Sequence, residues 1–261
     1  MKIRKTLREW EAVGHPNSTN VIANRCTMIA AATNAVLCGN ERMLVVTSPS
    51  GVGKSFIVRD KLHNPLIANP SNYHELLSAF DSAGRKRPIL LEEGDFCFRS
   101  ERVLNILKIA ADPVDRNRTY ADRRLDAPVF ILCNADLSTP YKSKFPQHLE
   151  ALFRRSAPII IPNDKEMLWE YACYLAIACR MLMKTERGQK IPRGVADDAL
   201  DFFTRNIWRL KNVSPATLVE IARVMTVYTD PYRRQRLDQL LGEQYANRPV
   251  PASPDILGGL Q

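Results

Sequence analysis

Nothing in this 261-residue sequence has the length of a membrane span. Its longest uncharged stretch, Cys26 to Asn40, is interrupted by Thr27, Thr33 and Asn34, and stops short of the roughly 20 apolar residues a bilayer requires. No apolar segment directly follows the charged run Lys2, Arg4, Lys5, Arg8, Glu9 and Glu11, as it would in a secretory signal. A cytoplasmic protein with no membrane partner is expected. The six cysteines, Cys26, Cys38, Cys97, Cys133, Cys173 and Cys179, include no C-x-x-C pair, which argues against zinc and disulfide frameworks. Internal repeats and low-complexity tracts are also missing.

What remains is an ordinary globular composition, with 45% hydrophobic and 25% charged residues, enough to bury a core. Lysine and arginine number 37 against 28 acidic residues, a net charge of +9 that favours a polyanionic partner such as nucleic acid. Short apolar runs alternate with helical periodicity through the first 162 residues. Runs at 43–47, 65–68, 88–91, 129–133 and 159–161 read as strands, and 18–38, 54–63, 73–83, 100–111 and 146–153 as helices. That alternation predicts an α/β fold, a five-stranded parallel sheet with helices on both faces. After Pro162 only amphipathic helices follow, at 166–183, 197–208 and 215–228, so residues 163–246 are expected to form a small all-helical domain. Residues 247–261, rich in proline and glycine, are expected to be a flexible tail.

Ser48-Pro-Ser-Gly-Val-Gly-Lys-Ser55 follows the first strand and opens a helix, the setting of a phosphate-binding P-loop. Backbone N–H groups of Ser50, Gly51, Val52, Gly53 and Lys54 would cradle phosphates, Lys54 would reach the β and γ phosphates of ATP, and Ser55 would ligate Mg²⁺. Ser48 stands where the motif usually has its first glycine. Ile89-Leu-Leu-Glu-Glu93 supplies the acidic strand end that such a loop requires, with Glu92 as the metal-side carboxylate and Glu93 as the base acting on water.

With this order of motifs the chain resembles the AAA+ ATPases, of a compact phage or mobile-element type. The resemblance implies a sensor strand at Val129–Cys133 whose following residue, Asn134, positions the attacking water. It further implies an arginine finger within Leu149–Ile159, where Arg155 fits best and Arg154 next. The helices after Pro162 would be the family's small lid, with Ala216 where a second sensor arginine is usual. A finger acts on a neighbouring subunit, so a homo-oligomeric ring, most simply a hexamer, is implied.

Between the helix near 100–111 and the sensor strand, Arg116, Arg118, Arg123 and Arg124 fall within nine residues around Tyr120. That density suits phosphate contacts with base stacking, and in related helicases a hairpin at this place grips DNA. An intersubunit contact would use the same residues equally well. The reading is an ATPase acting on DNA in replication, helicase loading or DNA translocation. A protein-remodelling ATPase and a nucleotide-gated scaffold with weak hydrolysis are the alternatives.

Overall fold

The computed structural model describes residues 21–114, 118–135, 137, 144–183, 191–228, 230 and 232–241. These fall into two compact units, one ending at Tyr171 and the other starting at Ala172.

In the first unit, helix α1 (Val21–Leu37) precedes strand β1 (Met43–Thr47), then come α2 (Lys54–Arg59), β2 (Leu66–Ala68), α3 (Tyr73–Ala83) and β3 (Ile89–Leu91). A 3₁₀ turn (Gly94–Phe98) leads into α4 (Glu101–Ala110). The hairpin β4 (Thr119–Tyr120) and β5 (Arg123–Arg124) is followed by β6 (Val129–Cys133), α5 (Pro146–Phe153) and β7 (Ala157–Ile160). β1, β2, β3, β6 and β7 form one parallel five-stranded sheet in the order β2-β3-β6-β1-β7. The α/β fold and the five strands are those expected from the apolar runs.

The three central strands, β1, β3 and β6, are apolar and buried throughout because both faces are covered, whereas the edge strands β2 and β7 are partly exposed. Met43, Val45, Ile89, Leu91, Val129 and Ile131 pack with Leu76 and Phe80 of α3, Leu104 and Leu107 of α4, and Leu149 and Leu152 of α5. The alternating Leu44, Val46, Leu90, Phe130 and Leu132 point to the opposite face. They too are fully buried, and α1 packs against β1 and β7. Helix starts follow local capping: the Asn72 side chain accepts from the His74 and Glu75 N–H groups at 3.0 Å, and Ser100 caps α4.

Two helices end well before the periodicity suggests. α2 stops at Arg59, and the chain then reaches Asn64, at φ 49°, immediately before Pro65. α6 (Lys165–Ile177) stops before Arg180, which takes φ 51° ahead of a 3₁₀ turn at Met181–Met183.

The second unit contains α7 (Arg193–Arg205), α8 (Pro215–Val227) and α9 (Tyr232–Leu240), with no ladder of strands among its described residues. Ser214 caps α8 by accepting from the Thr217 N–H at 3.2 Å, and Pro215 occupies the first turn where its missing N–H is harmless. α7 and α8 pack through Ala196, Ala199, Leu200 and Phe203 and through Leu218, Ile221 and Ala222, all buried. No helix among the described residues is long and apolar enough to cross a membrane.

The parallel strand order has one consequence for chemistry. β6 lies between β1 and β3, so the segments leaving the carboxyl ends of all three emerge side by side on one edge. Those segments start at Ser48, Asn134 and Glu92. In open parallel sheets that edge is where ligands bind.

Candidate functional site

The first segment is a loop shaped by two glycines. Gly51 has φ 81° and Gly53 φ 103°, values that side-chain-bearing residues rarely adopt, and Gly53 is the residue from which α2 starts. A Cβ at Gly53 would meet no atom within 4 Å, so its surroundings are open and the backbone conformation sets the need for glycine. Ser48 has no positive φ and is buried, and its Oγ donates to the Pro49 carbonyl at 2.9 Å; serine therefore serves at this point of the loop. Val52 is buried and pins the loop. Ser55 is half-buried at the start of α2, where a hydroxyl can meet a cation at the loop's mouth.

Lys54 does not project into water: its side chain is buried, and Nζ donates to Oδ1 of Asn134 at 2.6 Å, across 80 residues of sequence. Burial pushes the lysine pKa down from its ordinary value, and the nearby Cys133 and Asp95 oppose that shift. Cys133 itself, sealed at the end of β6, has its thiol pushed up to about 12 by burial and by Asp95. A cation held in low-dielectric surroundings by one amide oxygen is a strong anion receptor, because an arriving phosphate exchanges a neutral partner for a charged one.

The acidic segment after β3 divides its carboxylates among three surroundings. Glu92 is held by Arg59 of α2, which donates Nε to Oε1 at 2.7 Å and its Nη2 to Oε2. Glu93 is exposed on the same edge. Gly94 is buried so tightly that a Cβ would lie 2.4 Å from Cγ2 of Ile131 and 3.2 Å from the Leu132 carbonyl oxygen. Next to it, the Asn134 backbone N–H donates to both Asp95 carboxylate oxygens, at 3.2 and 3.3 Å.

A magnesium ion at this edge would keep most of its water and phosphate ligands, since such ions take only one or two protein groups. Ser55 and Glu92 are the two candidates. Among the described residues no cluster of three or more His, Cys, Asp or Glu side chains could hold a metal ion alone.

Arg154 and Arg155 end α5. Arg154 is largely exposed and pairs with Glu150 one turn back at 2.5 Å. Arg155 Nε lies 3.4 Å from Asp112, and its Nη1 donates to the Ala151 carbonyl at 3.3 Å. Both border a shallow pocket of about 430 Å³ with Gln147, Glu150 and Ala151. Lys108 shares this neighbourhood, and its pKa is pushed down by burial first and by Arg155 second.

The arginine cluster splits. Arg116 lies outside the described residues. Arg118 is buried, donates to the Asp112 carbonyl at 2.9 Å and pairs with Asp126 at 3.6 Å, which makes it a strut under the hairpin and not part of an exposed phosphate-binding face. Arg123 pairs with Asp81 at 2.8 Å and Arg124 with Asp126 at 3.1 Å, both from partly exposed positions. Their hairpin turns through Ala121 and Asp122 at φ 49° and 61°, the left-handed pair that a two-residue connection demands. In the helical unit, Ala216 is exposed in the first turn of α8.

No family model matches the chain. It is 22% identical over 232 residues to an uncharacterized 36.7 kDa protein encoded in the nrdC-mobD intergenic region of Enterobacteria phage T4, an alignment covering 77% of this chain and 69% of that protein. Among solved structures, domain III of the Thermotoga maritima replication initiation protein DnaA is similar at a TM-score of 0.40 and 15% identity, covering 86% of this chain and 98% of that one.

Of the residues named from sequence, the structure joins Lys54 directly to Asn134 and sets the loop beside the acidic segment. It adds two that sequence reading passed over. Arg59 engages Glu92, and Asp95 engages Asn134. The signal for Asp95 was a third acid in Glu92-Glu93-Gly94-Asp95, after a glycine that marks a close backbone approach.

Proposed function

We propose that this chain is an AAA+ ATPase that hydrolyses ATP with Mg²⁺ and works as a homo-oligomeric ring, a hexamer in its simplest form, on DNA. The observation that carries this reading is the buried Lys54 ammonium held 2.6 Å from Asn134, beneath a loop with two left-handed glycines. The backbone of Ser50–Ser55 receives the phosphates, and Lys54 turns from Asn134 to the β and γ oxygens. Asn134, released from the lysine, orients the attacking water, and Glu93, exposed after the end of β3, takes the water's proton. Ser55 and Glu92 would hold a magnesium ion, which would supply neutralisation of the phosphates' charge. Arg155, with Arg154 as the alternative, reaches a neighbouring subunit's site, and the partly exposed Arg123 and Arg124 meet DNA.

Steady-state hydrolysis of ATP with and without single-stranded DNA, duplex DNA and RNA tests the reading. Lys54→Ala should abolish turnover and weaken binding of a fluorescent ATP analogue; unchanged binding would end the P-loop assignment. Glu93→Gln should retain ATP binding but lose turnover, because only the base is removed. A nucleotide-gated scaffold is favoured by one observation, the pairing of Glu92 with Arg59, which occupies the metal-side carboxylate. On that reading Arg59→Ala raises a weak parental rate, whereas on the ATPase reading it does not.

A further inference from the structure

Three carboxylates follow β3, and two have plain assignments: Glu92 is engaged by Arg59, and Glu93 is exposed. The third has no assignment from the motif. We propose that Asp95 is the positioning residue of this site, fixing the backbone at Asn134 so that its side chain serves first Lys54 and then the reacting phosphate. The proposal rests on the ATPase reading above.

Gly94 lets the acidic segment close onto β6, since any larger residue would collide with Ile131. That approach brings the Asp95 carboxylate against the N–H of Asn134, which donates to both oxygens at 3.2 and 3.3 Å. Asn134 lies just past the end of β6, where no further strand pairing restrains it. A charge-assisted bond to its N–H supplies the missing restraint while leaving the side-chain amide free. The freed Oδ1 then reaches Lys54 Nζ at 2.6 Å. Gly94, Asp95, Asn134 and Lys54 thus form a continuous relay between the acidic segment and the phosphate loop. When phosphate displaces Asn134 from Lys54, the backbone clamp stays, so the amide swings without its strand end moving. A carboxylate two residues beyond the base can therefore act on turnover without touching ATP.

The test compares Asp95→Ala, which removes the acceptor, with Asp95→Asn, whose amide oxygen can still accept from Asn134. Hydrogen exchange at the Asn134 amide in the nucleotide-free protein reads the clamp directly. Exchange should speed up about tenfold or more in the alanine variant and stay within about threefold of the parent in the asparagine variant. For hydrolysis, kcat should fall about 10- to 100-fold in Asp95→Ala with KM for ATP within about threefold, and Asp95→Asn should recover most of kcat. Unchanged Asn134 exchange in Asp95→Ala, or a parental kcat in it, overturns the proposal. So does loss of the fold in both variants by thermal melting, because Asp95 would then be structural. If the parent protein neither binds nor hydrolyses ATP, the ATPase reading fails by itself, and the exchange comparison still decides whether Asp95 holds Asn134.

Discussion

At the scale of single residues, the site depends as much on missing side chains as on present ones. Gly94 has no room for a methyl group: the nearest atom would be 2.4 Å away, part of a β6 core residue that cannot retreat. Gly94→Ala should therefore destabilise the protein by about 1–3 kcal/mol, the usual range for overpacking, visible as a lower denaturation midpoint with an unchanged denaturant slope. A midpoint equal to the parent's would mean that β3 and β6 separate easily. Candidate positions were legible from sequence where a motif fixes spacing, as at Lys54 and Ser55, and where a strand end marks the place, as at Asn134, which the structure brings to Lys54. Asp95 was hidden because two adjacent acids already satisfied the motif. Arg118 was misplaced by reasoning from charge density, which cannot see that one arginine of a cluster turns inward to Asp126 and Asp112.

At the scale of elements, the hairpin Thr119–Arg124 separates structural from surface charge. Arg118→Ala removes a buried guanidinium bonded to the Asp112 carbonyl and Asp126, and should cost about 1.5–3 kcal/mol in a thermal or chemical melt. Arg124→Ala breaks a half-exposed pair, one of three that Asp126 makes with Arg85, Arg118 and Arg124, and should change stability by about 0–1 kcal/mol. For function the order reverses. If Arg123 and Arg124 meet DNA phosphates, replacing both with alanine should flatten the log–log salt dependence of DNA binding by about 0.7 to 0.9 for each phosphate no longer neutralised. An unchanged slope assigns the hairpin to subunit contacts. The elements themselves were readable because strands buried on both faces become continuous apolar runs and α3 and α4 carry strong stripes with proper caps. α9 was not: its sequence, Tyr-Arg-Arg-Gln-Arg-Leu-Asp-Gln-Leu, has no buried residue and no apolar stripe for periodicity to detect.

At the scale of the whole molecule, the arginines at the end of α5 connect one chain to the question of assembly. Arg155 is restrained by Asp112 and by the Ala151 carbonyl, and remains about 40% exposed, accessible to a second copy. A finger that serves a neighbour makes each site a property of two chains, and this can be tested by mixing. Lys54→Ala subunits keep Arg155 but have a dead phosphate loop; Arg155→Ala subunits keep the loop but lack the finger. Each homogeneous variant should be inactive, because removing a finger can cost about 10³ to 10⁵ in rate. Mixed rings should recover part of the parental ATPase rate, since Arg155 from a Lys54→Ala subunit completes the intact loop of its Arg155→Ala neighbour. Recovery should peak near equal proportions and vanish on dilution below the assembly concentration measured by light scattering. The same mixture made with Arg154→Ala in place of Arg155→Ala identifies the finger: if that variant alone is already active, Arg155 serves. Should mixtures show no recovery while both variants assemble with parental mass, the arginines at the end of α5 act within their own chain.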